Sequence, residues 1–263
     1  MTELNPTLDP TLDDEHQRRF AGVARVYGDA ALARFQTSHA VVVGLGGVGS
    51  WALEALARNG IGQLTLVDLD VLVASNVNRQ LPAMTSTFGR GKAEVLAERV
   101  RDINPRCQVR VVDDFLTREN ALDILTPQPD IILDCCDDAK AKLTLALHAR
   151  RHRNVLVVCG AAGGKMDPTR LHMADLSLTE QDPLLARLRK RLRKYHGYPL
   201  EAGKAFGISC IYSDEPVSTP PDLCGSASLN CSGYGSLVTV TASMGLLAVS
   251  TALAQLLRRK VRT

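Results

Sequence analysis

Apolar runs of strand length alternate with helix-period patterns along most of this chain, which predicts parallel strands joined by crossover helices. The first fifteen residues stand outside that alternation and, rich in Thr, Asp and Pro, read as a flexible tail. Residues 16–37 read as one or two short amphipathic helices ending before Thr37-Ser38. A buried strand at His39–Leu45 and a helix at Val48–Asn59 follow. Next come a strand at Gln63–Val67, a helix at Lys92–Asn104 stopped by Asn104-Pro105, and a strand at Gln108–Val112. A short helix near Arg118–Leu125, a strand at Asp130–Asp134, a helix at Ala139–Arg153 and a strand at Val155–Cys159 continue the rhythm, which Gly160–Gly164 breaks. Beyond it lie a β-like stretch at Arg170–Asp175, a basic helix near Pro183–Lys194, an irregular Pro/Gly-rich segment over 197–235 and an apolar helix over 237–257. The pattern predicts an α/β fold: a doubly wound, Rossmann-like, mostly parallel sheet with a C-terminal extension and a long apolar helix.

The last helix carries no charge over 237–257 and is followed by Arg258-Arg259-Lys260. At about 30 Å it would be long enough to span a bilayer. Thr239, Thr241, Ser243, Ser250, Thr251 and Gln255 dilute it, so it is read as buried in a core or a subunit interface. The chain has 263 residues, 45% of them hydrophobic, and a net charge of +3, ordinary for a soluble globular protein with a sizeable core. Seven cysteines form no C-x-x-C pair, and the N-terminus is polar and acidic, unlike a signal peptide. Both point to reduced thiols and a cytoplasmic location.

Chemistry concentrates at Gly44-Leu45-Gly46-Gly47-Val48-Gly49, between the first strand and its helix. Gly44, Gly46 and Gly49 match the G-x-G-x-x-G spacing that lets backbone approach phosphate at a helix N-terminus. Asp68 ends the second strand about 20 residues past the last glycine, where a carboxylate grips ribose. Asp70 would face the same side of an extended chain. Alone, this would suggest a nicotinamide dehydrogenase. But Ser75-Asn76-Val77-Asn78-Arg79-Gln80, then Lys92 opening a helix, then Asp134-Cys135-Cys136-Asp137-Asp138 bring an arginine, a lysine and acids to the carboxyl edge of the sheet. A triphosphate, carrying about four charges, needs such cations and a Mg²⁺ held by a carboxylate.

The combination G-x-G-G-x-G, D-x-D, S-N-x-x-R-Q, G-x-x-K and D-x-x-D resembles the ATP-dependent adenylating enzymes related to ubiquitin activation, molybdopterin synthase sulfurylation and thiamine sulfur transfer. The resemblance implies that Gly47 contacts ATP phosphate, Asp68 the ribose, Asn76 and Arg79 the triphosphate, and Lys92 a phosphate. It gives Asp137 to Mg²⁺; Asp138 either joins the nucleotide site or caps the following helix. Paired C-x-x-C zinc ligands, usual in activators of protein tails, are missing: Cys210, Cys224 and Cys231 lack the rhythm, so no structural zinc is expected.

Trp51, Glu54–Arg58, Gly60-Ile61-Gly62, Asp113-Asp114-Phe115, Gly163-Gly164-x-x-Asp167-Pro168-Thr169, Asp182-Pro183-Leu184 and Cys231-Ser232-Gly233 are similar to the tRNA threonylcarbamoyladenosine dehydratases, a likeness running from about Arg19 to Leu257. It implies ATP-dependent cyclisation of threonylcarbamoyladenosine in tRNA through a carboxyl-adenylate. The alternative is adenylation of the C-terminus of a ubiquitin-like sulfur carrier. A non-catalytic nucleotide-sensing module is a further rival, disfavoured by the intact Arg79, Lys92 and Asp137. The resemblance also implies a homodimer, room for a monovalent cation (Na⁺ or K⁺) and a link to a cysteine-desulfurase/sulfur-acceptor system. Relatives reach the partner's site with an arginine from the N-terminal helix; here Gly22 falls there, with Arg19 and Arg25 on either side. Candidate tRNA contacts are Arg187, Arg189, Lys190, Arg191, Arg193 and Lys194, with further basic runs at Arg150–Arg153 and Arg258–Lys260. Cys231, without a neighbouring His, reads as a packed residue. The chain then divides into N-terminal tail and helices (1–37), ATP-binding adenylation core (38–165) and a C-terminal substrate and dimer region continuous with the core (166–263).

Overall fold

The computed structural model describes residues 10–217 and 234–259. Two N-terminal helices, α1 (Pro10–Tyr27) and α2 (Asp29–Gln36), lead into β1 (His39–Val43), whose five residues are all buried. The chain continues through α3 (Gly49–Arg58), β2 (Gln63–Val67), α4 (Lys92–Ile103), β3 (Gln108–Val112), a one-turn α5 (Ala121–Ile124), β4 (Ile131–Asp134), α6 (Ala139–His152) and β5 (Val155–Cys159). Then come β6 (Leu171–Asp175), α7 (Pro183–Tyr195), β7 (Ser209–Ser213) and α8 (Val238–Arg258). Helix starts follow local chemistry. Asp138 caps α6 through the N–H groups of Lys140 and Ala141, and Asp182 caps α7 ahead of Pro183. No side chain caps α3.

The seven strands form one sheet in the order β3-β2-β1-β4-β5-β7-β6, with only β6 antiparallel to its neighbour. The chain winds outward from β1 to β3, then returns to lay β4 on the other side of β1. That reversal opens a crevice at the carboxyl ends of β1 and β4, the usual ligand position in such sheets.

Two segments differ from their sequence patterns. Helix α1 begins at Pro10, inside the stretch read as a tail. The 197–235 stretch is not wholly irregular: β7 lies within it, parallel to β5 and antiparallel to β6. Cys210 and Ile211 of β7 are fully buried, so tertiary burial makes a strand of a segment whose flanking Gly and Pro obscure it. Cys224, Cys231 and the 231–233 motif lie outside the described residues.

Helix α8 is long and apolar enough to cross a membrane by length and composition. In the structure it packs on α3 and β5, and Met244, Ala248 and Leu253 join one cluster with Val42, Leu56 and Leu133. A Cβ on Gly245 would fall 2.5 Å from the Val48 carbonyl oxygen, so the two helices cross almost backbone to backbone.

Candidate active site

Strand register sets the site. Val43 pairs with Val67 on one side and Asp134 on the other, so Gly44, Asp68 and Cys135 leave the sheet side by side. Gly44 has φ +82°, and a Cβ there would lie 2.8 Å from the Cys136 backbone. A Cβ on Gly49 would lie 1.8 Å from the Gly44 carbonyl oxygen. The loop therefore closes only with glycine at both places. Asp68, 8% exposed, anchors it: one carboxylate oxygen accepts from Leu45 N–H at 2.6 Å, the other from Asp70 N–H at 2.9 Å. Burial pushes the Asp68 carboxyl up, opposed by the Leu45 bond and the Lys92 charge. Among the described residues the N–H groups of Gly46, Gly47 and Val48 find no acceptor, and the uncapped α3 N-terminus lies just behind them. Such a row of donors at a positive helix end fits the phosphates of a nucleotide.

Arg79 lies against this loop, its Cγ 3.2 Å from where a Gly47 Cβ would be. It is carried on a strap after β2. Asn76, buried there, accepts from Val73 N–H through Oδ1 at 3.1 Å. Trp51 Nε1 donates to the Arg79 carbonyl at 3.0 Å, tying the strap to α3. The Arg79 guanidinium is half-exposed and, among the described residues, donates only to Ser75 O and Asn78 Oδ1, both on its own strap. Gln80, 6% exposed, places Nε2 3.8 Å from a Gly46 Cβ and keeps Oε1 without a donor. The motif contains Gln80, but spacing alone gave it no role.

Lys92, at the first turn of α4, is 6% exposed and pairs with Asp70 Oδ2 at 2.7 Å. Asp70 thus meets the lysine predicted for phosphate. Asp137 is exposed at the end of β4, beside the crevice. No group of three metal-ligating side chains occurs among the described residues. One exposed carboxylate fits the way Mg²⁺ binds, through one or two carboxylates completed by phosphate oxygens. Asp138 differs: both its oxygens accept from the α6 N-terminus, at 3.0 Å each, so it serves as a helix cap.

Next to Asp137 is a pair that spacing did not reveal. Lys142 and Asp134, both fully buried, meet at 3.0 Å, and Lys142 also donates to Cys159 O at 2.8 Å. The only sign in the sequence is a cation on the apolar side of the α6 pattern. Cys135 and Cys159 bring their sulfurs to 3.9 Å. The Cys159 contact and burial push the Cys135 thiol well up, and burial does the same to Cys136 and Cys210. These are packed thiols rather than nucleophiles.

Of the remaining candidates, Arg19 donates to the carbonyls of Asp102 and Ile103 at the end of α4 and pairs with Glu15, while Arg25 is exposed. On α7, Leu185, Leu188 and Leu192 face the core. Arg189 donates to Leu176 O and Thr179 O, and Arg193 to Pro199 O. Arg187, Lys190 and Lys194 are exposed.

Trp51 is the chain's one tryptophan and touches the strap, so its emission should report the site. Titration with ATP should shift Trp51 emission in the wild type. Gly49→Ala, whose new Cβ strikes rigid backbone, should abolish that shift; an unchanged titration would remove the loop from the nucleotide site.

The chain is similar to known proteins along nearly its whole length. The ThiF family model matches residues 16–262. The chain is 43% identical to a tRNA threonylcarbamoyladenosine dehydratase of Haemophilus influenzae, covering 94% of this chain and 96% of the relative. It is 42% identical to the Escherichia coli tRNA threonylcarbamoyladenosine dehydratase, covering 97% and 99%. Crystal structures of that E. coli protein, TcdA, in complex with ATP and with AMP superpose with TM-scores of 0.84, each covering 92% of this chain and 95% of theirs.

Proposed function

This chain belongs to the ThiF family, and on that premise we propose that it uses ATP to cyclise threonylcarbamoyladenosine in tRNA with net loss of water. The observation that carries the reading is the open row of N–H groups at Gly46–Val48 with Arg79 and Lys92 beside it. The substrate carboxylate attacks the α-phosphorus of ATP, forming an acyl-adenylate and releasing pyrophosphate. A urea nitrogen of the same modification then attacks the acyl carbon, loses its proton and expels AMP. Ring closure is intramolecular, so holding the side chain in place supplies much of its rate. The glycine loop positions the phosphates and Asp68 orients both loop and ribose. Arg79 and Lys92 offset charge on the leaving pyrophosphate. Asp137 would hold Mg²⁺, which when bound neutralises phosphate charge. The Lys92–Asp70 pair holds the ammonium ready beside the crevice.

The enzyme works as a homodimer in the cytoplasm in this reading. Arg19 is committed to its own chain's α4, so the arm toward the partner's site is assigned to Arg25. The exposed cations of α7, Arg187, Lys190 and Lys194 first, contact tRNA phosphates. A monovalent cation and a sulfur-acceptor partner stay outside the mechanism, since ring closure needs neither. Adenylation of a sulfur carrier is the less supported alternative.

The test is direct. Incubated with ATP, Mg²⁺ and tRNA bearing threonylcarbamoyladenosine, the protein should release AMP and yield a nucleoside lighter by one water. Unchanged nucleoside beside an adenylated carrier protein would overturn the reading.

A further inference from the structure

A cavity of about 820 Å³ opens at the edge of the sheet opposite the glycine loop. Asn154, just before β5, and Ile208, just before β7, line it, together with the C-terminal ends of α6 and α8. Asn154 and Ile208 precede the strands whose carboxyl ends face the crevice, so the cavity lies at the opposite end of β5 and β7 from it. Its volume lies in the range of small-molecule pockets. Arg150, Arg153 and Arg259, all exposed, stand on its wall, and among the described residues its lining holds no acid.

The arginines are held in an ordered arrangement. The Arg150 guanidinium lies 4.5 Å from the Tyr198 ring centroid and donates to His196 O. Tyr198 packs on Phe206 at 5.0 Å between ring centroids, and Arg193 covers Phe206 at 5.3 Å. Arg259 donates to the carbonyls of Arg153 and Asn154. A cation–π ladder thus joins the cavity to α7, where a second depression is lined by Arg189, Lys190, Arg193 and Lys194, with no acid among the described residues that line it. A guanidinium stacked on a ring offers its other face to a planar group, and neighbouring cations suit phosphate. Base stacking plus backbone charge is how single-stranded nucleic acid is held.

We propose that this cavity binds an unpaired nucleotide of the substrate tRNA, remote from the reacting nucleoside, with its base on Arg150 and its phosphates at Arg153 and Arg259. The proposal rests on the tRNA reading above. The same chemistry would suit a free mononucleotide, and the test separates the two.

Arg150→Lys keeps the charge and removes the flat surface. It should weaken tRNA binding about five- to tenfold and raise the KM for tRNA by the same factor, with kcat and ATP affinity unchanged. The double variant Arg153→Gln/Arg259→Gln should flatten the dependence of log affinity on log salt by about two. A chemical footprint on the tRNA should lose one protected position away from the modified nucleoside in Arg150→Lys. Melting temperatures of all variants are compared with wild type. Unchanged tRNA affinity, KM and salt slope in folded variants overturn the proposal. So does AMP or UMP binding that Arg150→Lys abolishes while tRNA affinity stays at wild type, which assigns the cavity to a free nucleotide. Failure of the wild type to dehydrate tRNA overturns the functional reading instead, and is read separately.

Discussion

Arg79→Ala should lower AMP formation by about 10²–10³ while the protein stays folded, because one charge stabilising the departing pyrophosphate is lost. The structure makes this a clean experiment. The Arg79 guanidinium is half-exposed and its hydrogen bonds stay within its own strap. The strap is instead held by backbone and by Trp51, which bonds the Arg79 carbonyl and survives the substitution. Asp137→Asn should fall by a similar factor, since an exposed carboxylate carries no packing. Lys92→Ala should lose as much activity but is harder to interpret, because Lys92 is 6% exposed and paired with Asp70. The measurement is AMP release with modified tRNA, beside ATP affinity from Trp51 emission. A drop in kcat with near-normal ATP affinity marks groups acting in the transition state. Near-normal turnover in Arg79→Ala and Asp137→Asn would mean that the chemistry lies elsewhere.

How far the chain's pattern reveals such a site depends on the range of the interaction. The strand–loop–helix at 39–58 is legible because its information is local: a β-branched run, glycines at fixed spacing, then helix period. The positions of β1, β2, β4 and β5 follow for the same reason, as does the long α8. Strand β7 was hidden, since a five-residue strand among Gly and Pro becomes one only by slotting between β5 and β6. The start of α1 at Pro10 was likewise hidden by a Thr/Asp-rich composition. In the site, the G-x-G-x-x-G spacing marks the cradle, but nothing in it says that Asp68 would hold the Leu45 N–H. Asp137 and Asp138 are adjacent identical residues, and only the turn into α6 separates a free carboxylate from a helix cap. Trp51 meets Arg79 across 28 positions of sequence, a contact no local pattern encodes.

The buried pair Lys142–Asp134 gives the largest expected stability effect. Both side chains are fully buried, and Lys142 bridges the end of β4 to Cys159 O at the end of β5. Burial pushes the Lys142 ammonium down, but the Asp134 carboxylate outweighs it and holds it above its ordinary value. Lys142→Met would leave Asp134 as an unpaired buried charge, at a cost of about 3–5 kcal/mol. For a chain this long that is a fall in melting temperature on the order of 10 °C. The pH dependence follows from the same burial. Alone in the core, Asp134 would have a folded pKa raised above its unfolded value of about 3.9. Its protonated form is then favoured by folding, so stability is fully present below the unfolded pKa and is lost as pH rises through the raised folded one. Lys142→Met should therefore melt closer to wild type in acid than at neutral pH. The double variant Lys142→Met/Asp134→Asn removes both charges and keeps an acceptor for the Cys136 thiol, which donates to Asp134 Oδ1. It should recover most of the lost stability. Activity should recover less, because Asp137 stands three residues beyond Asp134 on the turn that the ion pair holds in place. Equal melting of wild type and Lys142→Met across pH would show that the pair carries no such weight.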